Sequence, residues 1–107
     1  MIKLVYCVTK LPNLSAEEFH RYWRDVHGPI AARIPGVRKY VQSHAIDRAL
    51  GGRMPSYDGV AELWFDDWGA LERAMASPEV RAAIEDERNF IDHSRTALFV
   101  AEEHRVV

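Results

Sequence analysis

The run Phe19-His20-Arg21-Tyr22-Trp23-Arg24-Asp25-Val26-His27-Gly28-Pro29 constrains the fold more than any other part of the chain. Phe19, Tyr22, Trp23 and Val26 stand at i, i+3, i+4 and i+7, the spacing of a helix with one apolar face. Such a face must be buried against another layer. Upstream, Ser15-Ala16-Glu17-Glu18 forms a capping box: the Ser15 hydroxyl accepts from the Glu18 amide while the Glu18 carboxylate reaches back. Downstream, Pro29 disfavours helical geometry at the residue before it, and Gly28 tolerates unusual backbone angles. The helix is therefore expected to stop at His27, with a titratable ring at its end.

The rest of the chain reads as alternating strands and helices. Ile2 to Thr9 is a β-branched and aromatic run ended by Pro12 and Asn13, a first strand. Ile30 to Ile34 predicts a short helical turn before Pro35-Gly36. In Val37 to Ile46, a second strand, Val37, Val41 and Ala45 share one face while Arg38, Tyr40, Gln42 and His44 share the other. Residues 47–57 form one long loop. Val60 to Phe65 is the clearest strand, with Ala61, Leu63 and Phe65 on one face and Val60, Glu62 and Trp64 on the other. Asp66 or Asp67 can cap a helix carrying Trp68, Leu71 and Met75, and Ser77-Pro78-Glu79 opens another carrying Val80, Ala83 and Ile84. Thr96 to Ala101 is the last strand.

That order, β-α-β-β-α-β, predicts an α+β fold of the ferredoxin-like type: one domain over residues 1–107, with a four-stranded antiparallel sheet and helices on one face. The strands carry large apolar groups on both sides, so the uncovered face is expected to pack on a second copy, giving a homodimer with a pocket between the two sheets.

Composition narrows the partners. A net charge of -2 with scattered basic residues gives no electrostatic reason to expect nucleic acid. No apolar run approaches the roughly 18 residues that span a bilayer. The single cysteine, Cys7, cannot form an internal disulfide, which fits the cytoplasm. No metal is expected, since the five histidines include no pair at i, i+4 on a helix and no zinc-type spacing. No organic cofactor is expected either, because no glycine-rich loop follows a strand in phosphate-binding fashion.

With these residues in view, the chain resembles the EthD family of dimeric α/β-barrel proteins, close to full length. The resemblance rests on Phe19-x-x-Tyr22-Trp23-x-x-x-His27-Gly28-Pro29, on Pro35-Gly36 leading into Tyr40-Val41-Gln42, on Asp58 to Phe65, on Ser77-Pro78-Glu79 and on Phe90-Ile91-Asp92. It implies a homodimer and cofactor-independent chemistry on aromatic or lactone-like compounds. The methylmuconolactone methylisomerases, similar in layout, place a histidine and a tyrosine in the cleft at positions matching His27 and Tyr40. Their partner cysteine has no match here, where Asp66, Asp67 and Trp68 stand instead.

Two readings stand for each candidate. His27 is either a helix-terminal ring bonded to loose carbonyls or a general acid/base whose ordinary pKa, near 6.5, suits neutral pH. Tyr40 either orients a substrate oxygen or fills the core. His44, about 13 Å further along the strand, either lines the same cavity or is an exposed strand residue; the two side chains are expected not to touch. Glu62 is either a desolvated acid or the partner of Lys3 or Arg38. Trp64, Trp23 and Gln42 complete the substrate-binding candidates, and Asp92-His93 suits local capping. The leading function is proton-transfer chemistry, isomerase or lyase in type, on a cyclic or aromatic oxygenated compound of a degradation or secondary-metabolite pathway. The alternatives are an accessory binding protein of a monooxygenase pathway and a cofactor-free oxygenase.

Overall fold

A computed structural model of the protein describes all 107 residues. Strand β1 (Ile2–Val8) is followed by helix α1 (Ala16–Tyr22), a π-helical turn (Trp23–His27), helix α2 (Gly28–Ala31) and strand β2 (Lys39–His44). Strand β3 (Gly59–Phe65), helices α3 (Trp68–Met75) and α4 (Pro78–Asp86), two short 3-10 turns and strand β4 (Ala97–Glu102) complete the chain. The strands form one antiparallel sheet in the order β2-β3-β1-β4, the ferredoxin-like arrangement. No helix is long and apolar enough to cross a membrane.

The caps that start the helices follow the sequence. Ser15 and Glu18 make both bonds of the capping box, Asp67 caps α3, and Ser77 caps α4 with Pro78 in the first turn.

The expected stop at His27 does not occur. Backbone angles stay helical through His27 and Gly28, and the Gly28 amide donates to the Trp23 carbonyl, five residues back. Two absences allow this. Pro29 has no N–H to offer the Asp25 carbonyl, which favours a wider turn. Gly28 has no Cβ to clash with the proline ring, so it remains helical at φ -50°. The wide turn holds one extra residue, and positions four apart now stack in line. Phe19, Trp23, His27 and Ala31 are all buried, whereas Val26, expected on the apolar face, is 45 % exposed.

The register sets Leu4 opposite Leu63 and Val100, and Tyr6 opposite Ala61 and Leu98. These residues face the helices. Phe19, Trp23, Phe65 and Phe90 are the large side chains sealed completely between the layers. On the other sheet face Lys3 Nζ lies 2.6 Å from Glu62 Oε2, the ion pair anticipated as one reading of Glu62. Trp64 is not bare there: Lys3 and Lys39 sit over its ring at 5.1 and 4.7 Å, and its indole N–H donates to Glu103. Phe99, on that same face, is 53 % exposed.

Candidate active site

A cavity of about 310 Å³ lies between the sheet and the helices. Its lining residues lie on the helix-covered side of the sheet of one protomer, whereas the expected pocket lay between two sheets on the other side. Leu4, Leu63, Ile34 and Val80 are among the apolar walls, and the part-exposed Met75, Ile84 and Leu98 mark its mouth. The polar groups on the wall are Tyr6, His27, Tyr40, Glu87 and Thr96.

His27 is fixed from behind. Its Nδ1 lies 2.9 Å from Asp86 Oδ2, with both side chains nearly buried. The other Asp86 oxygen accepts from the Tyr22 hydroxyl at 2.6 Å and from the Asn89 amide at 3.1 Å. Phe90 packs against the imidazole with ring centres 4.7 Å apart. An ionised carboxylate only accepts, so Nδ1 carries the hydrogen and the neutral ring keeps a lone pair at Nε2. Nε2 has no protein partner, which leaves it for a molecule in the cavity.

Burial pushes the Asp86 carboxyl up, but hydrogen bonds from Tyr22, His27 and Asn89 win and hold its pKa below the ordinary 3.8. A carboxylate with a depressed pKa stabilises the folded state at pH values above its unfolded pKa, about 4. That contribution is lost as pH falls through the depressed value. Asp86→Asn is therefore expected to unfold at lower urea than wild type at pH 7, and the two midpoints to converge below about pH 4. A gap undiminished in acid would contradict this account of the carboxylate.

The two tyrosines are arranged differently. Tyr6 donates to Glu87 Oε1 at 2.9 Å, and the same oxygen lies 2.9 Å from His93 Nε2. Burial, reinforced by the Glu87 charge, raises the Tyr6 phenol far above its ordinary value, so it stays protonated. Tyr40 accepts from Gln42 Nε2 at 2.8 Å. Burial raises its pKa too, against hydrogens offered by the Gln42 amide and the Trp23 indole.

This chain matches the EthD domain over residues 11–94. It belongs to the EthD family. A curated relative of the EthD protein, an uncharacterized 11.0 kDa protein in the thcB-thcC intergenic region of Rhodococcus erythropolis, is 32 % identical over 101 residues, covering 92 % of this chain and 96 % of that one. Among solved structures, an EthD family protein from Bacillus halodurans superposes with a TM-score of 0.81 at 24 % identity, covering 97 % of this chain and 99 % of that one. SnoaB, a cofactor-independent oxygenase from Streptomyces nogalater, superposes with a TM-score of 0.68 at 17 % identity over 99 % and 95 % of the chains. At these identities the two structures carry the fold alone.

Of the residues singled out in the sequence, the EthD fold brings His27 and Tyr40 to one cavity. Gln42 and His44 open onto a shallow recess beside α2, and Tyr40 borders both spaces. Tyr40 and His44 do not touch, as expected from their spacing, but Gln42 bonds to both. Trp23 is sealed at 1 % exposure, packed at a tilt on His44 with ring centres 4.3 Å apart. Glu62 and Trp64 lie across the sheet, away from His27. Asp92 caps the turn at Ser94, and His93 reaches Glu87.

Sequence reasoning missed Asp86, Glu87 and Tyr6. Glu87 follows Val80, Ala83 and Ile84 at the next stripe position, so a carboxylate on an apolar face was the available signal. Tyr6 alternates with Leu4 and Val8. Asp86 falls off the stripe and gave none.

Proposed function

We propose that this EthD protein is a cofactor-independent enzyme of isomerase or lyase type. It moves a proton on a small cyclic or aromatic oxygenated compound in a degradation or secondary-metabolite pathway. The observation that carries the reading is the Asp86–His27 pair, with Nε2 unpartnered at the wall of an apolar cavity. Nε2 takes a proton from the bound compound, and Asp86 offsets the positive charge that develops on the ring. Tyr40 donates to the oxygen on which negative charge accumulates. At about 310 Å³ the space is at the small end for ligand pockets, which suits a compound of one or two rings.

The working unit in this reading is a homodimer. The exposed Phe99 on the uncovered sheet face supports it, since two copies meeting there would bury that ring. The unpaired Cys7 suits the reducing cytoplasm. A second reading, cofactor-free oxygenation, is favoured by the likeness to SnoaB, and it can begin with the same proton abstraction.

The experiment is a panel of phenols, enols and lactones screened by thermal shift, with each stabilising compound then incubated with the protein in D2O. Deuterium is expected to enter at a carbon next to the compound's oxygenated carbon, at a rate proportional to protein. Compounds that stabilise the protein yet return unlabelled and unconverted would leave a binding protein and end the enzymatic reading.

A further inference from the structure

Tyr40 lines the cavity, and its oxygen is held by Gln42, which lines the neighbouring recess and not the cavity. Gln42 Nε2 lies 2.8 Å from the Trp23 carbonyl oxygen and 2.8 Å from Tyr40 Oη. A backbone carbonyl only accepts, so the atom facing it is the amide nitrogen and the Gln42 side chain has a single orientation. That orientation turns Oε1 toward His44 Nε2, 2.8 Å away, which must then carry hydrogen. The neutral His44 ring is bare at Nδ1, where it accepts from His20 Nδ1 at 2.7 Å.

Each bond dictates the direction of the next. His20 donates to His44, His44 to Gln42, and Gln42 to Tyr40. The Tyr40 hydrogen meets no protein acceptor, and the residue borders the cavity that holds His27. Bonds aligned in one sense polarise one another, which strengthens the last donor.

The geometry points to a one-way donor chain, His20 to His44 to Gln42 to Tyr40, that presents the Tyr40 hydrogen to an anionic oxygen, enolate or phenolate, of the molecule in the cavity. Gln42 and His44 are thus positioning residues, an assignment that rests on reading the cavity as a proton-transfer site. Three features keep them in place. The π-turn leaves the Trp23 carbonyl shared between Gly28 and Gln42. Gly28 has no Cβ, and one there would stand 3.3 Å from the Gln42 amide nitrogen. Trp23 packs against the His44 ring.

Protonation of His44 would place hydrogen on Nδ1 against the His20 donor and break the sequence. Burial, then the neighbouring His20 of α1 and Arg24 of the π-turn, hold the His44 pKa below its ordinary value. The remaining neighbours, Gln42 on its own strand and Trp23, carry no charge.

Two measurements on the full-length protein test the chain. In 15N-histidine NMR spectra at neutral pH, His44 is expected to carry hydrogen at Nε2 and His20 at Nδ1; either ring reversed overturns the proposal. Binding of 4-nitrophenolate, with nitrobenzene as the neutral control, supplies the second readout. Gln42→Leu and Tyr40→Phe are each expected to weaken the phenolate about tenfold, as for loss of a hydrogen bond to a charged group, and to leave nitrobenzene unchanged. The double variant is expected to be no worse than Tyr40→Phe alone. Additive losses, or an equal loss of nitrobenzene, would make Gln42 a packing residue and overturn the proposal. If wild type binds no phenolate, the reading of the cavity fails, and the ring tautomers decide the donor chain by themselves.

Discussion

Replacing His27 by glutamine is expected to lower kcat/KM for the substrate by about a hundredfold or more, with little change in folding. Glutamine places its amide near the Nε2 position, and Asp86 keeps the donors Tyr22 and Asn89 that hold its other oxygen. What disappears is the lone pair at Nε2. Asp86→Asn tests the other half of the pair. An amide presents either its oxygen or its nitrogen to the ring, so the tautomer is no longer dictated, and a loss of about ten- to a hundredfold is expected. Steady-state kinetics alongside thermal unfolding separate the two effects. A folded His27→Gln protein that turns over within a few-fold of wild type would remove His27 from the chemistry.

The largest effect on stability is expected at Gly59, which does not itself line the cavity. A Cβ at Gly59 would lie 2.5 Å from the Ser43 carbonyl oxygen and 2.5 Å from the Trp23 ring. Neither neighbour can yield cheaply. The carbonyl belongs to the paired strand, and the indole is sealed between His44 and Phe19. Gly59→Ala is therefore expected to cost about 3 kcal/mol, at the upper end for overpacking, and to lower the melting temperature by roughly 10 to 20 °C. Gly69→Ala is the matched control. Its Cβ would meet only the ends of the Arg73 and Asp67 side chains, and alanine favours a helix, so that variant is expected to be neutral or slightly more stable. Equal melting temperatures for Gly59→Ala and wild type would show that the indole has room the structure does not show.

Both effects converge on the π-turn, and that turn marks the boundary of what could be read from residues alone. The strands were legible because alternation has a period of two: Tyr40, Gln42 and His44 do share the face assigned to them. The helix starts were legible because Ser15, Asp67 and Ser77 cap through their own side chains, a local interaction. His27 was identified as a candidate, but its surroundings were not. Gly28-Pro29 reads locally as a stop, and it becomes a continuation because of the missing N–H of Pro29, the missing Cβ of Gly28 and the Gln42 amide packed over it. The Asp86 contact joins positions 59 residues apart with no periodic signal. The cavity on the helix-covered side of the sheet was not foreseen, for a related reason. Trp64 reads as an apolar group in need of cover, and two lysines and a glutamate of its own chain already supply it.

Because His27, Asp86 and Tyr40 all stand on one polypeptide around the hollow, each subunit of a pair would carry its own set of proton-moving groups. A hybrid of one intact and one disabled subunit would therefore keep a full set of these groups in its intact half.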